Sequence, residues 1–404
     1  MNRLLYRLVW SLFFAVPFSA ASAQSAPHQI VQERYIAVDF YSAVLSLPAL
    51  REVEFPLEQP PSLDLFKTAY TKFNQHDYFP FLKKAGDYRR GMSMSDWHYY
   101  NLIADYSDQC FPTAPPNFRV LFRWFILRKS GLDVQLFHTA QDIYLHARSE
   151  DIQFGFFLIA HRGNTYVNLT ARRENLKLQS VEAFLTTYHP DNASLPLVMD
   201  MHRLPTLPSP DTIERLITFR HRGHEYEIRV NLNRDHLQIM DDYPYYNQTA
   251  YFNIGLSREA ERSLLPQLEA LLEGKTAREK VEFLLSFTRT SFFYKDDRRR
   301  YGREKPMTPE QTLYHSYSDC EDRSALFFYL NRKLVGLPAI VLDFNNHVGT
   351  AVELPGITGD TFRYKNREYV YCEATGPSDD LQIGQMWEHV RNQPARILTE
   401  YHPE

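Results

Sequence analysis

Apolar positions between residues 29 and 55 alternate or cluster as short strands do, and Pro60-Pro61 closes that stretch. Helical spacing takes over from about residue 63. Residues 97–106 and 118–129 carry apolar side chains three and four positions apart, and Ser130-Gly131 stops the second run. Strand patterns return at 132–137, 143–147, 154–160 and 165–169. Two turn-rich connections, 191–196 and 204–210, lead to further strand candidates at 217–221, 224–230 and 249–253, so residues 176–256 read as a β-rich middle region.

Helices resume at Ser257. Leu264, Leu265, Leu268, Leu271 and Leu272 form one apolar face that Gly274 terminates. Thr276 with Glu279 has the spacing of a capping box, and Thr308-Pro309-Glu310-Gln311 is a second capped start with proline at the first helical position. A last helix opens near Ser318 and stops near Gly336, and strands are expected at 339–344, 348–354 and 368–372. Helices followed by a run of strands predict an α+β domain over 257–404, preceded by an α+β region over 24–175.

One offset joins the two halves. Leu121-Phe122 aligns with Leu326-Phe327, and Gly131-Leu132 with Gly336-Leu337 (326 − 121 = 205; 336 − 131 = 205). Only those 4 of 25 positions are identical between 121–145 and 326–350, too few to establish a repeat. Both windows nevertheless run aromatic-rich helix, basic residues, Gly-Leu, then apolar strand, and Tyr-Val strands follow each, at Tyr166-Val167 and Tyr369-Val370. Any helix–turn–strand unit has similar periodicity, so duplication and coincidence both stay open at this level. At the same offset Cys320 falls on Pro115 and His347 on Asp142.

The first residues form a separate pattern. Arg3 and Arg7 flank the start of an apolar run over 8–16 that Pro17 breaks, and Ala21-Ser22-Ala23 precedes Gln24, the order of a secretory signal (residues 1–23) cleaved after Ala23. The run is shorter than the ~20 residues a spanning helix needs, and no later segment is apolar enough to span a bilayer. A periplasmic or secreted mature chain with no transmembrane segment is the expectation. With 44% hydrophobic and 14% aromatic residues the composition argues against disorder, and 404 residues leave room for more than one core. A net charge of −4 without long single-sign blocks gives no electrostatic reason to expect nucleic acid as a partner. The cysteines are Cys110, Cys320 and Cys372, an odd number; Cys110 and Cys372 could pair if Cys320 is the free thiol.

Cys320 stands in Ser318-Asp319-Cys320-Glu321-Asp322-Arg323. With Ser318 as N-cap, Glu321 completes a capping box and Cys320 takes the second helical position. The partial positive charge of a helix start favours a thiolate, whereas Asp319, Glu321 and Asp322 oppose it, so a nucleophilic Cys320 needs a base. His347 opens one strand candidate after the Asn345-Asn346 turn, and Glu373 ends the next. Neighbouring strands lie ~4.8 Å apart, which lets a carboxylate on one reach an imidazole on the other. Cys320 as nucleophile, His347 as base and Glu373 as orienting acceptor make a workable triad. Asp343 is a fallback acid. The Cys320 N–H is the natural oxyanion donor, with Gln311 or Tyr314 as a candidate second. Asp322 and Arg323 read as an ion pair or cap contacts, the Arg298-Arg299-Arg300 run after Asp296-Asp297 as a solvated loop, and His221-Arg222-Gly223-His224 as a turn rather than a metal site. No Gly-x-Ser-x-Gly elbow or glycine-rich phosphate loop occurs.

At these residues the chain resembles the transglutaminase-like superfamily of papain-like cysteine enzymes. The family's motifs are a Cys at a helix N-terminus, a downstream His on a strand and an Asp on the following strand. The matching positions are Cys320 in Asp-Cys-Glu-Asp-Arg-Ser, His347 in Asn-His-Val-Gly-Thr-Ala-Val, and Glu373 in Glu-Ala-Thr, where the family usually has Asp, often followed by Pro-Thr. The match is closest over about 306–375. The resemblance implies a transglutaminase-like (papain-like) domain over 257–404 and an exported bacterial cysteine enzyme. A peptide, protein or cell-wall amide would be its substrate, hydrolysis is expected over crosslinking, and neither cofactor nor metal is implied. A degenerate copy would occupy part of 24–175. A catalytically inactive binding or scaffold protein of the cell envelope is the alternative.

Overall fold

Two five-stranded antiparallel sheets, each backed by a buried helix, organise this mixed α+β chain. The computed structural model describes residues 35–150, 158–170, 184–186, 188–199, 204–244, 248–297, 299, 302, 305–376 and 381–403. The expected signal segment over 1–23 lies outside them, as does 154–157 of one expected strand.

Alternation at the start produces a hairpin. β1 (Tyr35–Phe40) buries Ile36, Val38 and Phe40, and β2 (Ala43–Pro48) buries Ala43, Leu45 and Leu47. Helices α1 (Leu63–Asn74), α2 (Phe79–Gly91), α3 (Asp96–Cys110) and α4 (Pro116–Lys129) follow. Ser62 caps α1 by accepting the Leu65 N–H at 3.2 Å, and Pro116 opens α4. The first sheet runs β5-β6-β4-β3-β7, with β3 (Val134–His138), β4 (Ile143–Ser149), β5 (Leu158–His161), β6 (Asn164–Asn168) and β7 (Phe184–Thr186).

Among the described residues of 176–256, β7 is followed by one long hairpin, β8 (Thr212–His221) with β9 (His224–Asn233), then by α5 (Arg234–Asp242), which no pattern foretold, and α6 (Gln248–Asn253), where a strand was expected at 249–253. Thr249, Tyr251 and Phe252 favour strands by propensity. One helical turn buries Tyr251 in the first core and Phe252 in the second, and that burial decides.

The second half begins with α7 (Arg258–Leu272), capped by Ser257, and α8 (Ala277–Thr290), whose Thr276–Glu279 capping box forms as its spacing predicted. After β10 (Phe293–Tyr294) comes α9 (Pro309–Tyr314), with the predicted Thr308–Gln311 box. β11 (Tyr317–Ser318) leads into α10 (Cys320–Leu330), every residue of which is buried. A helix enclosed on all sides has no need of a polar face. A π turn, Asn331–Val335, and the left-handed Gly336 (φ 74°) end it. The second sheet runs β14-β15-β13-β12-β16, with β12 (Ala339–Phe344), β13 (His347–Val352), β14 (Thr361–Tyr364), β15 (Arg367–Cys372) and β16 (Arg396–Tyr401). Its two faces are distinct: Val341, Val370 and Cys372 belong to the core around α10, while Ile340, Leu342 and Tyr371 join Met386 and Val390 on the other side.

The 205-residue offset is carried by strand pairing. Val134↔Ala147 in the first sheet becomes Ala339↔Val352 in the second (339 − 134 = 205; 352 − 147 = 205). Ala147↔Val167 becomes Val352↔Val370 with a two-residue shorter connection (370 − 167 = 203). Strand order and register therefore repeat together, and Gly131 (φ 92°) sits at the helix end where Gly336 does. Cys110, Cys320 and Cys372 are all free and buried. The pairing open to Cys110 and Cys372 does not form because they lie in different cores. No described helix is long and apolar enough to cross a membrane.

Candidate active site

The short parallel pair β10–β11, with Tyr294 opposite Ser318, delivers the chain to α10. Ser318 is not the cap that the sequence suggested. Its hydroxyl accepts Nε of Arg323 at 2.9 Å, so the N-cap moves one residue on, to Asp319. Asp322 rather than Glu321 then closes the box, its Oδ2 accepting the Asp319 N–H at 3.1 Å, and Cys320 becomes the first helical residue. The remaining guanidinium N–H groups of Arg323 donate to the carbonyls of Arg289, Phe292 and Gly376, so this buried arginine fastens the surrounding segments together. Asp322 also accepts the Met307 N–H at 2.8 Å.

One turn into α10, Ser324 donates to the carbonyl of Val348 at 3.0 Å. The start of the helix is thus registered on the start of β13, where His347 sits. Cys320 and His347, 9% and 6% exposed, both line a cleft of about 290 Å³ whose other walls include Tyr294, Asp319 and Glu321. The Cys320 thiol donates to Oε2 of Glu321 at 3.1 Å.

His347 and Glu373 meet. Nε2 of the imidazole lies 2.9 Å from Oε2 of Glu373; a carboxylate only accepts, so Nε2 carries the hydrogen. The Tyr371 hydroxyl donates to the same carboxylate oxygen at 2.6 Å and lies 3.2 Å from Nε2, and the Thr375 N–H donates to Oε1 at 2.9 Å. These donors fix a side chain one methylene longer than the aspartate of the resembled family. Gly349 makes room for this arrangement: a Cβ there would lie 2.5 Å from the Tyr371 oxygen.

The electrostatics of the thiol run against the sequence argument. Burial, then the Glu321 and Asp319 carboxyls, push the Cys320 thiol well above its ordinary range, outweighing the helix start and the Val348 N–H. The acids feel one another too. Burial and then Glu321 push Asp319 up to about 9, burial and then Asp322 push Glu321 up to about 7, and Asp322 is raised by burial and Asp319. Burial works to raise Glu373 as well, but hydrogen bonds from His347, Tyr371 and Thr375, with the imidazole's charge, hold it below the usual carboxylate range.

Other expectations are redistributed. Asp343 pairs with Arg396 at 2.7 Å while His347 engages Glu373. Gln311 is occupied in capping α9 and donates to Asp241 at 3.2 Å, and neither it nor Tyr314 lines the cleft. Tyr294, which sequence reasoning missed, does line it; its signal was the aromatic run Phe292-Phe293-Tyr294 directly after a capped helix. Of the arginine run read as a solvated loop, Arg298 and Arg300 lie outside the described residues; Asp297 just before it is buried, and with Asp319 and Glu321 it offers three oxygens within 4.8 Å of one another, a donor set suited to a hard cation. His221 lies at the β8–β9 turn with Nδ1 2.8 Å from the Ser286 hydroxyl. Comparison of the chain with family models, curated proteins and solved structures finds no match.

Proposed function

We propose that the chain is an exported cysteine hydrolase of transglutaminase-like type, acting on an amide or peptide bond through Cys320, His347 and Glu373, with 257–404 as its papain-like domain. The observation that carries this reading is the cleft into which Cys320 and the Glu373-bonded His347 both open. Nδ1 of His347 takes the thiol proton as sulfur bonds to the substrate carbonyl carbon. Collapse of the tetrahedral species breaks the C–N bond, and the imidazolium gives its proton to the departing amine. Water, deprotonated by the same imidazole, then attacks the thioester, releasing the acid and restoring the thiol. Glu373 holds the ring and stabilises its charged form. The Cys320 N–H, in the first turn of α10, donates to the oxyanion in this reading.

The raised thiol favours a second reading, a binding protein of the cell envelope that keeps the fold without turnover. Site-resolved iodoacetamide labelling of Cys320 against pH separates the two. In the hydrolase the His347→Ala variant is labelled at least about tenfold more slowly at pH 7 than the parent, since the imidazole no longer supports a thiolate. Equal rates, with an inflection above the free-thiol value of ~8.5 in both proteins, leave the binding reading.

A further inference from the structure

In the hydrolase reading the charge that develops on the substrate oxygen meets one donor, the Cys320 N–H. Acyl-transfer sites ordinarily aim more than one donor at that oxygen. Gln311 and Tyr314, the expected candidates for a second, do not line the cleft, whereas the half-exposed Tyr294 does.

Tyr294 is held on the cysteine side of the cleft. The backbone bonds on either side of it, from the Phe293 N–H to the Ser316 carbonyl at 2.9 Å and from the Lys295 N–H to the Ser318 carbonyl at 3.2 Å, tie β10 to the strand that enters α10. Ser318, the residue opposite Tyr294, stands two positions before Cys320. The ring itself lies against Arg323, whose guanidinium is 5.7 Å from the ring centre and is in turn held by the Ser318 hydroxyl and three carbonyls. The amide side chains of the cleft sit on other segments, Asn345 and Asn346 on the turn into His347 and Gln248 on α6.

The phenol is also kept as a donor. Burial, and after it a charge on Cys320, push it above its ordinary range, with Asp319, Glu321 and Asp296 adding less. The hydroxyl therefore keeps its proton through the neutral and mildly alkaline range, and of the ionisable groups around it the Cys320 thiol is the one it feels most.

We infer that Tyr294 is a catalytic residue of this cleft, its hydroxyl donating a second hydrogen bond to the oxyanion that forms when Cys320 attacks the amide carbonyl. This role rests on the hydrolase reading and supplies the donor that reading lacks. As sulfur bonds to the carbonyl carbon, the π pair moves onto oxygen, and the Tyr294 O–H and Cys320 N–H each donate to it without losing a proton. On collapse the pair re-forms the C=O bond and the C–N bond breaks.

Two reagents isolate that step on the full-length protein. Iodoacetamide alkylates sulfur by displacing iodide and forms no oxyanion; p-nitrophenyl acetate acylates it through a tetrahedral oxyanion and releases nitrophenolate. Both rates are measured at Cys320 in the parent and in Tyr294→Phe, which removes the hydroxyl and leaves the ring on Arg323, with Cys320→Ala as background. Acylation is expected to fall by about tenfold or more in Tyr294→Phe while alkylation stays within about twofold of the parent. Unchanged acylation overturns the inference, as does a fall of acylation and alkylation by the same factor, which would place the hydroxyl's effect on the thiol or the fold. Either result leaves the hydrolase reading standing. A parent that iodoacetamide labels but the ester does not acylate above background ends that reading and the inference with it.

Discussion

The two helix-and-sheet units share strand order and register, yet their helix starts face their sheets differently. In the second unit Ser324 of α10 donates to the Val348 carbonyl, and a cleft opens beside Cys320. In the first unit the residue matching Val348 is Ile143 (348 − 143 = 205), and its N–H donates at 2.9 Å to Asn117, whose own amide donates to the Gln141 carbonyl at 2.7 Å. A two-way amide thus ties helix to strand in the first unit, where the second uses the Ser324 hydroxyl. Pro115 and Asp142 stand at the positions of Cys320 and His347. The contrast teaches that one helix–strand junction can be closed by different side chains, Asn117 at the first and Ser324 at the second, and that only the second junction leaves a cleft against which a cysteine and a histidine lie.

Parallel substitutions at the two junctions test that contrast most severely. Cys320→Ala is expected to lower hydrolysis of a peptide-amide library by about 10³-fold or more, as removal of a nucleophile does. Asn117→Ala strands the Ile143 N–H and is expected to lower stability by about 1–3 kcal/mol in urea unfolding, with turnover per folded molecule unchanged. Equal loss of turnover in both variants would break the division of labour between the units.

The next contrast concerns Gly349 and Tyr371, whose counterparts are Tyr144 and Asn168 (349 − 144 = 205; 371 − 168 = 203). The large side chain has changed strand. In the second sheet the ring stands on β15, where it can bond Glu373, and glycine clears its path. Gly349→Ala puts a Cβ 2.5 Å from the hydroxyl and 2.8 Å from the ring, so either Tyr371 or β13 must shift. Overpacking of this kind is expected to lower stability by about 1–3 kcal/mol. Activity should fall further than stability does, because the displaced hydroxyl leaves Glu373 and His347 with one contact fewer. Tyr371→Phe, which removes that contact without the clash, should reproduce the drop in kcat at near-parental stability.

How much of this could be read beforehand depended on how local each cause was. The Thr276–Glu279 and Thr308–Gln311 boxes were legible because donor and acceptor lie within one turn. Ser318 misled because its hydroxyl is taken by Arg323 and its backbone by β10, the latter a partner that arrives from more than twenty residues away. His347 and Glu373 were legible as ends of adjacent apolar strands, but Tyr371 between them read as one more strand aromatic. The net sign of the field on Cys320 was hidden as well. It depends on burial and on carboxyls folded against the thiol, which no spacing reports. The offset of 205 was visible in four identities, whereas the shared register that gives it weight exists only between strands.

The smallest expected effect sharpens the comparison through pH. Asp319 occupies the cap position of the second unit, where the first has the uncharged Pro115, and its folded value is pushed up to about 9 by burial and Glu321. An acid raised on folding binds its proton more tightly in the native state, so its stabilising share is complete below the unfolded value of ~3.9 and is lost as pH climbs toward the folded one. Asp319→Asn keeps an acceptor for the Asp297 N–H, which now sits 3.3 Å from Oδ2, and removes the ionisation. Thermal unfolding should therefore show the variant a few degrees more stable than the parent at pH 9 and nearly equal to it at pH 4, where both side chains are neutral. A larger advantage at pH 4 than at pH 9 would mean that a charged Asp319 is stabilised by its surroundings. In that case the carboxyl cluster of the second unit would be holding positive charge rather than sharing protons.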